Sequence, residues 1–245
     1  MLAILGGSGL LQLPDLEDTR RRKQPTPFGE PSAPLTLGRI GSRELVFLPR
    51  HGDGHTYPPH MVNYRANIWA LKEAGVKEIV SVATVGGIRR DFEPGVLVVP
   101  DQIIDYTWGR PSTFFEGPDS KVTHIDFTEP YSPALRARIL YAAEGCGETV
   151  SDGGVYATTQ GPRLETAAEV TRLERDGADL IGMTGMPEAA LAREAGLDYA
   201  AIAVVANHAA GRGESAHAIS LERIEAVLGE AMQRVRRILG RLAGI

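Results

Sequence analysis

The sequence predicts an α/β domain with a central, largely parallel or mixed sheet flanked by helices. Three observations lead there. Short β-rich runs, several of them apolar throughout, recur along the chain, as strands buried on both faces do. Helical patterns stand between them, and three of these end at a glycine. The two kinds of segment alternate from one end of the chain to the other, which lays helices across the faces of a sheet.

In chain order, the expected strands are Leu2–Leu5, Glu44–Leu48, Glu78–Ala83, Val96–Pro100, Val155–Thr159, Leu180–Ile181 and Tyr199–Ala206. Val62–Ala74 reads as a helix stopped by Gly75, and Pro133–Glu144 as another stopped by Gly145. Pro187–Ala195 has proline in its first turn and Gly196 as its stop. In the last segment Leu221, Ile224, Val227, Leu228, Ala231, Met232, Val235, Ile238, Leu239 and Leu242 fall on one stripe, behind Ser220 as N-cap. That is an amphipathic helix packed on the body. The Pro/Gly-rich stretches 25–34 and 108–118 read as surface loops of the kind that border active sites.

The 245 residues fit one large domain, 1–245. A 43% hydrophobic and 23% charged composition is that of a soluble globular protein. The net charge of −5 argues against nucleic acid as the main partner, because phosphate binding needs a concentrated basic surface. The compact basic run Arg20–Lys23 reads as a solvated loop. Cys146 is the single cysteine, so no intrachain disulfide and no paired-cysteine metal site is expected. The apolar start Met1–Gly6 is only about a strand long and lacks a basic flank, and no run approaches the roughly 20 residues a membrane span needs. A soluble cytoplasmic protein is expected, without membrane partners.

Four turns at strand ends carry donors for an anion. Gly6-Gly-Ser-Gly-Leu10 offers backbone N–H groups and the Ser8 hydroxyl. Alone it reads equally well as a phosphate loop or a tight turn, and it lacks the third glycine of a dinucleotide-binding turn, where Gln12 stands. Pro49-Arg-His-Gly-Asp-Gly-His55 supplies Arg50, which pairs bidentately with phosphate, and His51, which donates to it. His55 and His60 read as structural. Ala83-Thr-Val-Gly-Gly-Ile88 adds Thr84, and Gly182-Met-Thr-Gly-Met-Pro187 adds Thr184 just before a proline-started helix. Together they point to one convergent anion site.

Six segments carry a resemblance: GGSGL at 6–10, RHG at 50–52, VNYRANIWALKEAG at 62–75, DQIID at 101–105, GPRLET at 161–166 and MTGMPEAALAREAG at 183–196. In this order they resemble the trimeric purine nucleoside phosphorylase family, especially its methylthioadenosine phosphorylase branch. The resemblance implies a partly barrel-like mixed sheet, a homotrimer, and phosphorolysis: inorganic phosphate, a co-substrate rather than a cofactor, attacks the anomeric carbon of a nucleoside. It implies no metal and no organic cofactor. Ser8, Arg50, His51, Ala83, Thr84 and Thr184 fall at the family's phosphate positions. Met183 falls where the family holds the ribose. The sequence departs from the branch at Gly182, where Asn is common, and at Ala83, where Thr is.

The resemblance places Asn207, His51 and Glu165 at the reacting end, with Leu164 beside them in the substrate wall. Adenine presents a 6-amino donor and an N1 acceptor, whereas a 6-oxopurine presents an O6 acceptor and an N1–H donor. An ionised Glu165 accepts from N1–H, and the Asn207 amide donates to O6 or N7. The adenine branch has Asp where Asn207 stands and no Glu where Glu165 stands. The alternative readings are a helix first-turn acid for Glu165 and a strand-end turn residue for Asn207. Leu221 and Ile224 align with the 5′ pocket, and apolar residues there favour a methylthio group over a hydroxyl. His124 matches a residue lent to a neighbouring subunit's pocket. The expected substrate carries a 6-oxopurine at one end and a methylthio group at the other. The alternatives are the methylthioadenosine reaction, a broader 6-oxopurine nucleoside phosphorylase, a non-catalytic nucleoside binder and a dinucleotide-dependent oxidoreductase.

Overall fold

The computed structural model describes residues 1–118 and 120–245. Its elements in order are β1 (Leu2–Gly6), β2 (Glu17–Arg22), β3 (Leu35–Ile40), β4 (Arg43–Pro49), α1 (Tyr64–Glu73), β5 (Glu78–Gly87), β6 (Leu97–Val99), β7 (Gln102–Asp105) and α2 (Pro133–Gly145). They continue as β8 (Ser151–Asp152), β9 (Val155–Thr158), α3 (Ala167–Arg175), β10 (Leu180–Gly182), α4 (Glu188–Glu194), β11 (Asp198–His208) and α5 (Leu221–Ala243). All the described strands join one mixed sheet, ordered β2-β3-β4-β1-β5-β10-β9-β7, from which β11, β6 and β8 branch at β5.

Strand β5 is the hinge of that architecture. One of its edges takes β1 in parallel along residues 78–81 and then β10 in antiparallel at Gly86 and Gly87. Its other edge takes β11 in parallel from Glu78 to Gly87, with a bulge between Val205 and Asn207. Because side chains alternate along a strand, Leu2 and Ile4 point into one apolar layer and Ala3 and Leu5 into the other. Helices α2 and α5 cover the first layer through Leu135, Ile139, Val235 and Leu239. Helices α1 and α4 cover the second through Ile68, Leu71, Ala189 and Leu191.

Several expectations are corrected. Residues 20–22 of the basic run are not a loop but the outer part of β2, whose side chains are all exposed. An edge strand rich in Arg resists pairing with other chains. Helix α3 is not among the expected helices, although the alternative reading of Glu165 as a first-turn acid places a helix start there and Thr166 and Glu169 form a reciprocal capping box at that start. β2, β3, β7 and β8 are also absent from the expected strands: β2 is polar throughout, β3 and β7 mix polar with apolar residues, and β8 has only two residues. Leu221 opens α5 but is 67% exposed, so the apolar stripe engages the core only from Ile224 onward. A helix end projects its first side chain past the surface on which the later turns pack.

Candidate active site

Strands β4, β1, β5 and β11 run parallel, so their C-terminal ends meet at one rim, where open α/β sheets hold ligands. That rim encloses a cavity lined by Ser8, Arg50, His51, Ala83, Thr84, Leu164, Glu165, Met183, Thr184, Asn207 and Ile224. Strand β10 reaches it from the opposite direction, bringing Met183 and Thr184 alongside the end of β5.

Arg50 is fully buried, and its Nε and Nη2 contact the Glu188 carboxylate at 2.5 and 2.9 Å. Nη2 also donates to Ser81 Oγ and Nη1 to the Val82 carbonyl. The bidentate edge expected to grip phosphate is therefore occupied by Glu188. Burial alone would lower the guanidinium's pKa, but the adjoining carboxylate raises it, and Arg50 stays charged.

His51 donates Nδ1–H to the Tyr57 carbonyl at 2.7 Å. The neutral ring then carries its lone pair on Nε2, so His51 accepts there and donates to phosphate only when protonated. Burial first, and then the Arg50 charge, hold its pKa down to about 4. His55, expected to be structural, lines the cavity. It stacks on His51 with ring centroids 4.5 Å apart and lies 3.3 Å from Ser8 Oγ. Thr84 donates its hydroxyl to the Ser8 carbonyl, tying the first and third turns together. His60 stays outside the lining, with Nδ1 buried and unpaired.

Glu165, which also lines the cavity, precedes α3 instead of lying in its first turn. Its Oε1 accepts from Thr159 Oγ1 at 2.6 Å. Burial pushes the carboxyl's pKa up, and the Thr159 hydrogen bond partly opposes this. Asn207 sits just past the bulge of β11, half-buried, with Nδ2 donating to the His208 carbonyl. His208 turns away, its Nε2 2.8 Å from Glu93.

Arg110, which nothing in the sequence singled out, organises the loops around the cavity. Its guanidinium donates to the carbonyls of Thr159, Gln160, Met183 and Met186. One buried side chain thus joins the segment bearing Glu165 to the one bearing Met183 and Thr184. Close packing also explains two glycines. A Cβ on Gly182 would stand 2.5 Å from Tyr156 Oη, and one on Gly161 2.5 Å from Met183 Sδ. The departure from Asn at position 182 therefore has a steric cause in this chain.

Two expected residues are not brought to the cavity. Leu221 is exposed and outside the lining, and Ile219, two residues earlier, joins Ile224 there instead. His124 is exposed and away from the cavity of its own chain. Among the described residues no group of three or more His, Cys, Asp or Glu side chains is placed to hold a metal, and no helix is long and apolar enough to cross a membrane.

Residues 1–243 match the model of the Phosphorylase superfamily, and the chain belongs to that family. It is 53% identical over 242 residues to an S-methyl-5′-thioinosine phosphorylase, named as probable, of Pseudomonas syringae pv. tomato, covering 98% of this chain and 97% of that one. It is 50% identical over 242 residues to the protein of the same name in Xanthomonas campestris pv. campestris, covering 99% and 96%. Among solved structures, methylthioadenosine phosphorylase from Schistosoma mansoni in complex with adenine superposes with a TM-score of 0.94 at 34% identity, covering 99% of this chain and 90% of that one.

Proposed function

We propose that the protein is a pentosyltransferase that cleaves S-methyl-5′-thioinosine with inorganic phosphate, giving hypoxanthine and 5-methylthioribose 1-phosphate. The observation that carries this reading is that Glu165 and Asn207 line the same cavity as Ser8, Arg50, His51, Thr84 and Thr184. A phosphate oxygen forms the new bond to C1′ as the C1′–N9 bond breaks, and the purine leaves with the bonding electrons. Positive charge builds on the sugar and negative charge on the base. The phosphate dianion stabilises the first, and the Asn207 amide, donating to N7 or O6, stabilises the second.

Glu165 accepts from N1–H of a 6-oxopurine and has nothing to accept from adenine N1. Leaving such a buried group unpaired costs about 1–3 kcal/mol, so preference for the 6-oxopurine reaches roughly tenfold to a hundredfold. Met183 forms the floor under the sugar, and Leu164 with Ala83 completes the wall. Ile219 and Ile224 face the 5′ group, where a thioether is buried more cheaply than a hydroxyl. The reaction needs no metal or organic cofactor. The working form is a soluble cytoplasmic homotrimer in which the exposed His124 reaches a neighbour's pocket. The likeness to methylthioadenosine phosphorylase supports a second reading with adenine as base, against which Glu165 stands.

The reading is tested by following hypoxanthine release from S-methyl-5′-thioinosine with and without phosphate. Release that requires phosphate is expected; release without it, with water as nucleophile, would sink the proposal.

A further inference from the structure

The ion pair beneath the anion site has a role of its own. Of the five guanidinium N–H groups of Arg50, four are engaged: one at Glu188 Oε2, one at Glu188 Oε1, one at Ser81 and one at Val82. The fifth is on Nη1, the nitrogen that abuts Gly7, where a Cβ would come within 3.0 Å of it. Glu188 is itself fully buried, and beyond Arg50 it accepts from Ser81 Oγ and from the Tyr199 hydroxyl. The cation that lines the cavity is thus paired with an equal and opposite charge on its inner side.

We infer that Glu188 is a charge-balancing positioning residue: it cancels the Arg50 charge, so that phosphate enters an electroneutral site and is held by hydroxyls, backbone amides and one guanidinium N–H. This rests on the phosphorolytic reading and deepens it. A bare buried cation beside the phosphate would hold it tightly in the ground state and draw down the negative charge that the oxocarbenium-like sugar needs. Binding spent on the ground state adds nothing to the chemical step. The neutral form of His51 at its Nε2 face fits the same design, because it adds no second cation.

The test is the affinity of the full-length protein for inorganic phosphate, measured by titration calorimetry for wild type, E188Q, R50Q and R50Q/E188Q. With the balancing charge removed, E188Q binds phosphate at least about fivefold more tightly. R50Q leaves the Glu188 anion under the site and weakens binding at least about tenfold. The double variant has no uncompensated charge and returns to within about threefold of wild type. E188Q binding more weakly than wild type, a double variant no better than R50Q, or a wild type that binds no phosphate overturns the inference. Should E188Q not fold, the comparison of R50Q with the double variant decides. Calorimetry requires no turnover, so base release measured separately distinguishes failure of this inference from failure of the functional reading.

Discussion

The Thr159 hydroxyl donates to Glu165 Oε1 at 2.6 Å and works against the burial that raises this carboxyl's pKa. A neighbour six residues away thus favours the carboxylate form that the proposed base readout needs. Removing the donor raises the Glu165 pKa further, since the hydrogen bond lowers it. In Thr159→Val the rise of kcat/KM for the 6-oxopurine substrate with pH therefore moves to higher pH, and activity below it drops about tenfold. The pH profile of kcat/KM checks this; an unshifted profile contradicts it.

His51 gives a second pH effect, on stability. Its folded pKa of about 4 lies below the ordinary 6.5. As pH falls from 6.5 toward 4 the unfolded chain takes up a proton that the folded chain refuses, so stability is lost with acidification. Between pH 7 and 5 the ring accounts for a loss of about 2 kcal/mol. Urea denaturation at both pH values shows that loss in wild type, and His51→Gln shows correspondingly less. Bound phosphate opposes the effect, because the dianion favours the imidazolium.

Asn207→Asp replaces the proposed N7 or O6 donor with an acceptor. Activity on S-methyl-5′-thioinosine falls by about a hundredfold, the loss of one hydrogen bond to a developing charge. Activity on S-methyl-5′-thioadenosine rises relative to it. Steady-state kinetics on both nucleosides measure the ratio, and a ratio that does not move assigns Asn207 to the turn alone.

Gly182→Ala drives a methyl group against Tyr156 Oη in a fully packed region and destabilises by about 1–3 kcal/mol. In a Tyr156→Phe background the oxygen is gone and the same substitution costs less. A double-mutant cycle by denaturation reads the difference; equal costs in both backgrounds would rule out the clash.

The strands that line the site were legible in the sequence because they are apolar throughout, and their ends could be read as turns with donors. Polar edges such as Glu17–Arg22 left no such signal. Residue types at the anion site were legible as well, but not what each side chain touches. That Glu188 occupies the fork of Arg50, or that Tyr57 fixes the His51 tautomer, depends on contacts across 138 and 6 residues that no local pattern encodes. Arg110 is the extreme case: four of its partners are backbone carbonyls, which every sequence has. Ile219 lines the cavity where Leu221 was expected, because the resemblance that aligns Leu221 with a 5′ pocket gives a position in the chain but not which side chain faces inward just before α5.

Purine identity is the central claim, and the ratio of kcat/KM for S-methyl-5′-thioinosine to that for S-methyl-5′-thioadenosine tests it most directly, with phosphate saturating and pH near 7. The unpaired adenine edge at Glu165 predicts a ratio of roughly ten to a hundred. A ratio below one would contradict the account.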